Sequence, residues 1–204
     1  MSDPAASLPL SVVIVNYNTR DDLRACLAAL HEGDPLPEII VVDNASTDGS
    51  VEMVEAEFPD VVLLAPGQNL WFTGGNNLGA AVAHAEHVIL LNPDTIPPPD
   101  ALPRLLEFAA AHPEYTGVTA QLRYPDGSLQ RTGSRLPSYA YLLLNHTPLG
   151  WLLPRRRARL NADHWCADWD RQTSRAIDVP PGSCLLARRS ELRRDEAWLL
   201  YFPE

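Results

Sequence analysis

The sequence predicts an α/β fold whose sheet is mostly parallel, twisted and flanked by helices. Three runs carry that prediction: Val12-Val13-Ile14-Val15, Ile39-Ile40-Val41-Val42 and Val88-Ile89-Leu90-Leu91. Uninterrupted β-branched and apolar runs belong to strands covered on both faces, as in a parallel sheet between helix layers. Each run ends in a polar cluster: Asn16-Tyr17-Asn18, Asp43-Asn44-Ala45-Ser46 and Asn92-Pro93-Asp94. In open α/β sheets, ligands bind at the carboxyl ends of the strands, where strand order reverses. Polar side chains delivered repeatedly to that edge predict a ligand with several hydrogen-bonding parts. A nucleotide carrying a sugar fits.

The elements follow in order. After the first strand, Asn18-Thr19 offers a cap, and Leu23, Cys26, Leu27 and Leu30 keep helical spacing. Asp48-Gly49-Ser50 opens a second helix, with Val51, Val54 and Phe58 expected inward, and Val61–Leu64 reads as a short strand. Gly74-Gly75-Asn76-Asn77 is expected to lead into a helix over Leu78–Ala85. Pro97-Pro98-Pro99-Asp100 starts a fourth helix, through Ala111. Val118–Leu122 is expected to pair with Leu129-Gln130 through the turn Tyr124-Pro125-Asp126-Gly127. From Ser134 to Ile177 the pattern weakens, and Val179 through Ala187 reads as one more strand, interrupted by Pro180-Pro181-Gly182.

Composition excludes several classes. The chain has 204 residues with 46% hydrophobic content, enough for one domain with a full core. Its formal net charge of −10 argues against nucleic acid as a partner, which needs a basic face. Cys26, Cys166 and Cys184 are scattered and form no CxxC, so they read as reduced intracellular thiols. The amino terminus lacks the basic and apolar regions of a signal peptide, and no apolar run is long enough to span a bilayer.

At the strand ends, Asp43 can accept the imide N–H of a pyrimidine or a ribose hydroxyl, with Asn16 and Tyr17 offering matching groups. The bland alternative is that Asp43 and Ser46 only cap the next helix. Asp94 is the best candidate ligand for a divalent metal, Mg or Mn, which prefers hard oxygen and keeps positions open for phosphate. Its alternative is ordinary Asn-Pro-Asp turn chemistry. Gly74-Gly75 can bring backbone N–H groups to a phosphate at a helix start, and tight packing explains the pair equally well. His31, His84, His87 and His112 have no partners at metal spacing. No nucleophile elbow is present, since Pro181-Gly182-Ser183-Cys184 lacks its closing Gly.

Taken in order, Ser11 to Asn18, Ile40 to Ser50, Asn69 to Gly79 and Leu91 to Asp94 resemble the family-2 glycosyltransferases of GT-A fold, the nucleotide-diphospho-sugar transferase fold. The similarity is strongest to the rhamnosyltransferase-like branch. Tyr124 to Gln130 and Pro181 to Arg189 are similar to that branch as well. The likeness covers about residues 9–135 well and 178–204 patchily. It implies one catalytic domain over 1–204, with a nucleotide-sugar-binding half (9–122) and an acceptor-side half (123–204).

The resemblance implies an inverting hexosyl transfer from a nucleotide-diphosphate sugar, dTDP- or UDP-linked, to a glycan or lipid-linked acceptor. It implies a role in cell-surface polysaccharide or glycolipid synthesis, and a divalent metal. By position, Asn16 and Asp43 are expected to hold base and ribose, Asn76 to lie along the donor and Asp94 to face metal and diphosphate, with Tyr17, Asn44, Gly75 and Asn92 also expected among the nucleotide-sugar-binding residues. Asn92 stands where the family often has the first acid of Asp-x-Asp, so metal affinity is expected to be weaker. The general base belongs to an acidic pair after an aromatic run, and Glu204 matches the first acid of that pair. The second would lie beyond the last residue, so the chain is expected to be truncated, binding donor yet transferring poorly.

Two further readings stay open: an inactive nucleotide-sugar-binding module, and a sugar-nucleotide pyrophosphorylase. The latter wants a Gly-rich phosphate loop that Leu10–Arg20 lacks. The expected location is cytoplasmic, peripheral at the inner face of the membrane. Tyr139–Arg159, with its Leu, Tyr and Trp content and four arginines, reads either as an acceptor-side, lipid-facing segment or as a core helix plus a solvated loop.

Overall fold

The computed structural model describes residues 8–194 and 197–198. They fall into two compact units, one of residues up to 119 together with those from 182, the other of residues 120–181.

The first unit is an α/β sheet. Its strands are β1 (Leu10–Asn16), β2 (Glu38–Asp43), β3 (Val62–Leu64), β4 (His87–Leu91), β5 (Gly117–Val118) and β6 (Cys184–Arg188), in the spatial order β3-β2-β1-β4-β6-β5. The first four are parallel, and β6 runs antiparallel to both β4 and β5. Strand order therefore reverses at β1, which sends β2 and β3 to one side and receives β4 on the other. The crevice of such a sheet lies at that reversal. Val12, Val13 and Ile14 are fully buried, so β1 is covered on both faces, as its unbroken apolar run requires. A further ribbon pairs β7 (Arg193–Arg194) with β8 (Ala197–Trp198).

Four helices belong to this unit: α1 (Arg20–His31), α2 (Ser50–Glu57), α3 (Trp71–Val82) and α4 (Ala101–Ala111). α1 buries the predicted Leu23, Cys26, Leu27 and Leu30. In α2 the inward residues are Ser50, Met53 and Val54, so Met53 takes the place expected for Val51, which is only partly buried like Phe58. α3 departs most from expectation. It begins at Trp71, ahead of the Gly-Gly step, and ends before Ala85. Gly74 and Gly75 thus lie inside the helix, where their N–H groups serve its own ladder. The glycines let α3 sit close on the sheet. A Cβ on Gly75 would come 2.8 Å from Val15 Cγ1, and one on Gly79 would run into Val13. α3 and the sheet share a core of Val13, Ile40, Val42, Ala80, Ala83, Val88 and Leu90. The expected hairpin near Asp126 is reduced to a single bridge, Arg123 to Leu129, and Val118 pairs with Leu186 instead.

The second unit holds α5 (Tyr139–His146), α6 (Leu149–Leu152) and α7 (Pro154–His164), which pack on one another. Ser138 caps α5 by accepting from Tyr141 N at 3.1 Å, and Pro154 opens α7. The arginine run, a solvated loop in one of the two readings of Tyr139–Arg159, is therefore helical, and α7 buries none of its residues. Among the described residues no helix is long and apolar enough to cross a membrane.

Candidate functional site

The parallel register of β1 and β2 sets Asn16 directly opposite Asp43 at the carboxyl edge. Both are buried, Asp43 to 1% exposure, so each group must be hydrogen-bonded. Asn16 Nδ2 donates to Asp43 Oδ2 at 2.8 Å and to Ser46 Oγ at 3.1 Å, and Asn16 Oδ1 accepts from Thr19 Oγ1 at 2.7 Å. Asp43 Oδ1 accepts from Ser46 N at 2.8 Å. An amide has two N–H donors, and both of Asn16's are committed. Asn16, expected beside Asp43 at the nucleotide, thus turns both its N–H groups to Asp43 and Ser46. Each Asp43 oxygen keeps one further lone pair.

The loops after β1 and β2 are tied to each other by side chains. Ser46 Oγ accepts from Asn18 N at 2.9 Å, and Asn18 Oδ1 accepts from Thr47 N at 2.8 Å. Asn18 and Ala45 hold φ of 54° and 65°, in the left-handed region, which costs about 1 kcal/mol or more each for such residues. Thr19, offered as the cap of α1, makes no side-chain cap bond there. Asp48, not Asp43 or Ser46, accepts from Arg20 N at 2.9 Å and Ser50 N at 3.1 Å, the first residues of α1 and α2. Burial pushes the Asp48 carboxyl up, but the hydrogen bonds from Ser50 and Arg20 N–H outweigh it and hold the group below its ordinary range. One carboxylate thus serves two positive helix ends.

Asn44, also buried, reaches the other way. Its Oδ1 accepts from Leu70 N at 3.3 Å and its Nδ2 donates to Trp71 O at 3.2 Å. Asn69 Oδ1 accepts from Trp71 N at 2.8 Å. These bonds hold Trp71 at φ 59° with its ring 69% exposed. Asn76 is buried one turn further on, donating to Phe72 O at 2.8 Å. Gly75 is placed against Val15 and 3.5 Å, by its missing Cβ, from Asn44 Nδ2. Tyr17 is exposed just past β1.

At the end of β4, Thr95 N donates to Asn92 O at 3.2 Å, so Asn92-Pro93-Asp94-Thr95 is a closed turn. Asn92 N donates to Ser183 O at 3.0 Å, which brings the loop before β6 to this edge, and Gly182 lies against Phe72. The Asp94 carboxylate is exposed and makes no hydrogen bond or ion pair among the described residues. Beneath the turn lies the buried Cys26, whose Sγ is 4.0 Å from Asn92 O. Burial, and secondarily the Asp94 charge, push its thiol up to about 12. Among the described residues no group of three His, Cys, Asp or Glu side chains is placed to hold a metal ion. The exposed Asp94 carboxylate is one hard-oxygen donor at this edge, of the kind that Mg or Mn prefers, and an ion held there would need further ligands such as phosphate and water. Glu204, with Asp195 and Glu196, lies outside the described residues.

The edge therefore gathers Asn16, Tyr17, Asp43 and Asn44 on one side of β1, and Asn92 and Asp94 on the other. Sequence reasoning named Asn18, Thr19 and Asp48 only as polar cluster, cap and helix start, and missed Trp71. Trp71 sits where a loop was expected.

The family model "Glycosyl transferase family 2" matches residues 11–178. The N-acetylglucosaminyl-diphospho-decaprenol L-rhamnosyltransferase of Mycobacterium tuberculosis is 29% identical over 96% of this chain and 67% of its own length. The undecaprenyl-phosphate 4-deoxy-4-formamido-L-arabinose transferase of Sodalis glossinidius is 30% identical over 67% of this chain and 44% of its own. Among solved structures, S. aureus TarS 1-349 superposes with a TM-score of 0.52 at 21% identity, over 66% of this chain and 44% of that one. The mannosyltransferase PcManGT from Pyrobaculum calidifontis, in complex with GDP-Man and Mn2+, gives 0.52 at 26% identity, over 61% and 38%. The sheet order and these superpositions make the fold GT-A. The chain spans about two thirds of the rhamnosyltransferase's length and less than half of both solved structures.

Proposed function

The chain belongs to the family 2 glycosyltransferases, and from that premise we propose that it transfers a sugar, with inversion, from a dTDP- or UDP-sugar to a lipid-linked glycan acceptor in cell-surface polysaccharide or glycolipid synthesis. The observation that carries this reading is the built edge at β1, where Asn16 and Ser46 hold a buried Asp43 carboxylate beside the strand reversal. The relatives are named for transfer reactions, which favours transfer over a module that only binds donor.

Asp43, with its remaining lone pairs, accepts from base or ribose, while Asn16 keeps it oriented. Asn44 and Asn76 fix the start of α3 along the donor, with Gly75 setting its closeness to the sheet, and Tyr17 borders the base. The donor falls to residues 9–122 and the acceptor to residues 123–204. Asp94, backed by the Asn92 turn, faces the diphosphate. A divalent ion held between Asp94 and the diphosphate would stabilise the charge of the leaving group.

In the transfer the acceptor oxygen bonds to the anomeric carbon as the bond to the diphosphate oxygen breaks. The leaving nucleoside diphosphate takes that electron pair. A carboxylate removes the hydroxyl proton as attack proceeds, because an alcohol is too weak an acid to ionise first. Glu204 is the candidate within the sequence.

Calorimetry with dTDP, UDP and GDP, each with and without Mn, tests the reading. Binding of dTDP or UDP, weakened at least tenfold in Asp43→Asn, is expected. If no nucleoside diphosphate binds a folded chain, the reading is wrong.

A further inference from the structure

We propose that the outer surface of α6 and α7 docks on an anionic lipid bilayer, a face that deepens, and for its purpose rests on, the lipid-linked acceptor named above. Residues 139–160 contain four arginines and no Asp or Glu, in a chain with 26 acidic side chains and a net charge of −10. Arg155, Arg156 and Arg159 are exposed and make no ion pair or hydrogen bond among the described residues. Elsewhere in the molecule exposed arginines commonly meet carboxylates, as Arg24 does with Glu57 and Arg135 with Asp163. Only Arg157 of the run has an internal role, donating to Asn145 Oδ1 at 3.1 Å.

Next to these cations stand side chains that water does not favour. Trp151 and Leu152 are 78% and 76% exposed, and Leu153 and Leu143 are exposed too. The helices spend only Leu144 and Gly150 on burial, Gly150 lying against the Leu144 carbonyl. An open groove of ≈ 450 Å³, lined by Trp151, Pro154, Arg157 and Ala158, lies between α6 and α7. An exposed apolar cluster bordered by unpaired cations matches the boundary of a bilayer. There indole and leucine sit at headgroup depth while arginines meet lipid phosphates. An acidic chain would otherwise be repelled by such a membrane, so the local charge decides which face meets it. An apolar protein partner would need no cations, and a soluble polyanion would need no Trp151-Leu152.

Cosedimentation with vesicles tests this, with no nucleotide present, so that its outcome is separate from donor binding. Vesicles of phosphatidylcholine and phosphatidylglycerol should bind the chain at low salt and release it at high salt. Phosphatidylcholine alone should bind it at least tenfold more weakly. Arg155→Gln/Arg156→Gln/Arg159→Gln should lower the partition coefficient roughly a hundred-fold, while the same three changed to Lys should keep most of it. Trp151→Ser/Leu152→Ser should also weaken binding at least tenfold, and Arg104→Gln in α4 should not change it. Equal binding to both vesicle types, no binding to either, or full binding by the Gln variant would overturn the proposal. So would a dimer, seen by sedimentation equilibrium, that Trp151→Ser/Leu152→Ser dissociates, since a second copy would then be the occupant.

Discussion

The carboxyl edge of the sheet and the α5–α7 helices handle polarity in opposite ways. At the edge, Asn16, Asp43, Asn44 and Asn76 are polar and buried, and each is hydrogen-bonded. On the helices, Trp151 and Leu152 are apolar and exposed, and three arginines have no partner among the described residues. A buried polar network is rigid because every member that moves leaves another unsatisfied. An exposed apolar surface carries no such constraint and changes little when altered. The first arrangement suits a site that must present a carboxylate in one place. The second suits a surface that must meet something soft and variable. Substitutions should therefore cost stability at the edge and function alone on the helices.

The largest effect should come from Asp43→Ala. It strands one N–H of the buried Asn16 Nδ2, whose other N–H stays on Ser46 Oγ, and the part-buried N–H of Ser46, at a cost of about 3 kcal/mol. Asp163→Ala in α7 removes an exposed pair with Arg135 and should cost under about 0.5 kcal/mol. Urea denaturation of both proteins measures the contrast. Similar losses for the two would mean that the edge network contributes nothing special.

Next comes Gly79→Val, which drives a side chain into Val13 where α3 meets β1, at about 2–3 kcal/mol. Ala158→Val, on the surface of α7, should cost less than about 1 kcal/mol, chiefly helix propensity. If Gly79→Val melts like the parent chain, α3 does not need its close approach.

The same contrast explains what the sequence made legible. Buried strands are readable because the apolar run itself specifies them, and Val12 to Val15, Ile39 to Val42 and Val88 to Leu91 all lie in strands of the sheet. Their polar ends then follow from register. The start of α3 was not readable, since Gly-Gly ordinarily marks a loop, and only the close neighbours Val13 and Val15 reveal why glycine is tolerated inside the helix. The partition of roles between Asn16 and Asp43 depends on Ser46 and Thr19, which meet them only after folding. α7 was obscured because its stripe buries nothing, so no periodicity betrays it. Glu204 lies outside the described residues, and its role stands as proposed.

A third effect separates binding from stability within the edge itself. Asp94 is exposed and has no partner among the described residues, unlike Asp43, so Asp94→Asn should leave the unfolding free energy within about 0.5 kcal/mol of the parent. It should weaken Mn-dependent binding of nucleoside diphosphate about tenfold and leave metal-free binding unchanged. Calorimetry with Mn and with chelator distinguishes the two. A loss that is the same under both conditions would assign Asp94 to the nucleotide and not to a metal.

The smallest effect links that exposed carboxylate to the core beneath it. The Cys26 thiol ordinarily titrates near 9 and is pushed up to about 12 in the folded chain, first by burial and then by Asp94. A group whose folded pKa is raised contributes stability that is complete below the unfolded pKa and is lost as pH rises toward the folded one. The window is therefore pH 9 to 12: the unfolded chain releases the Cys26 proton there, the folded chain keeps it, and unfolding gains about 1 kcal/mol by pH 10. Cys26→Ala should flatten that slope relative to the parent, the other two buried cysteines being common to both proteins. Asp94→Asn should flatten it only slightly, since its charge is the lesser cause. Stability measured by urea at pH 8, 9 and 10 reads all three proteins. Parallel curves for the parent and Cys26→Ala would show that water reaches Cys26, and with it the underside of the Asn92–Thr95 turn.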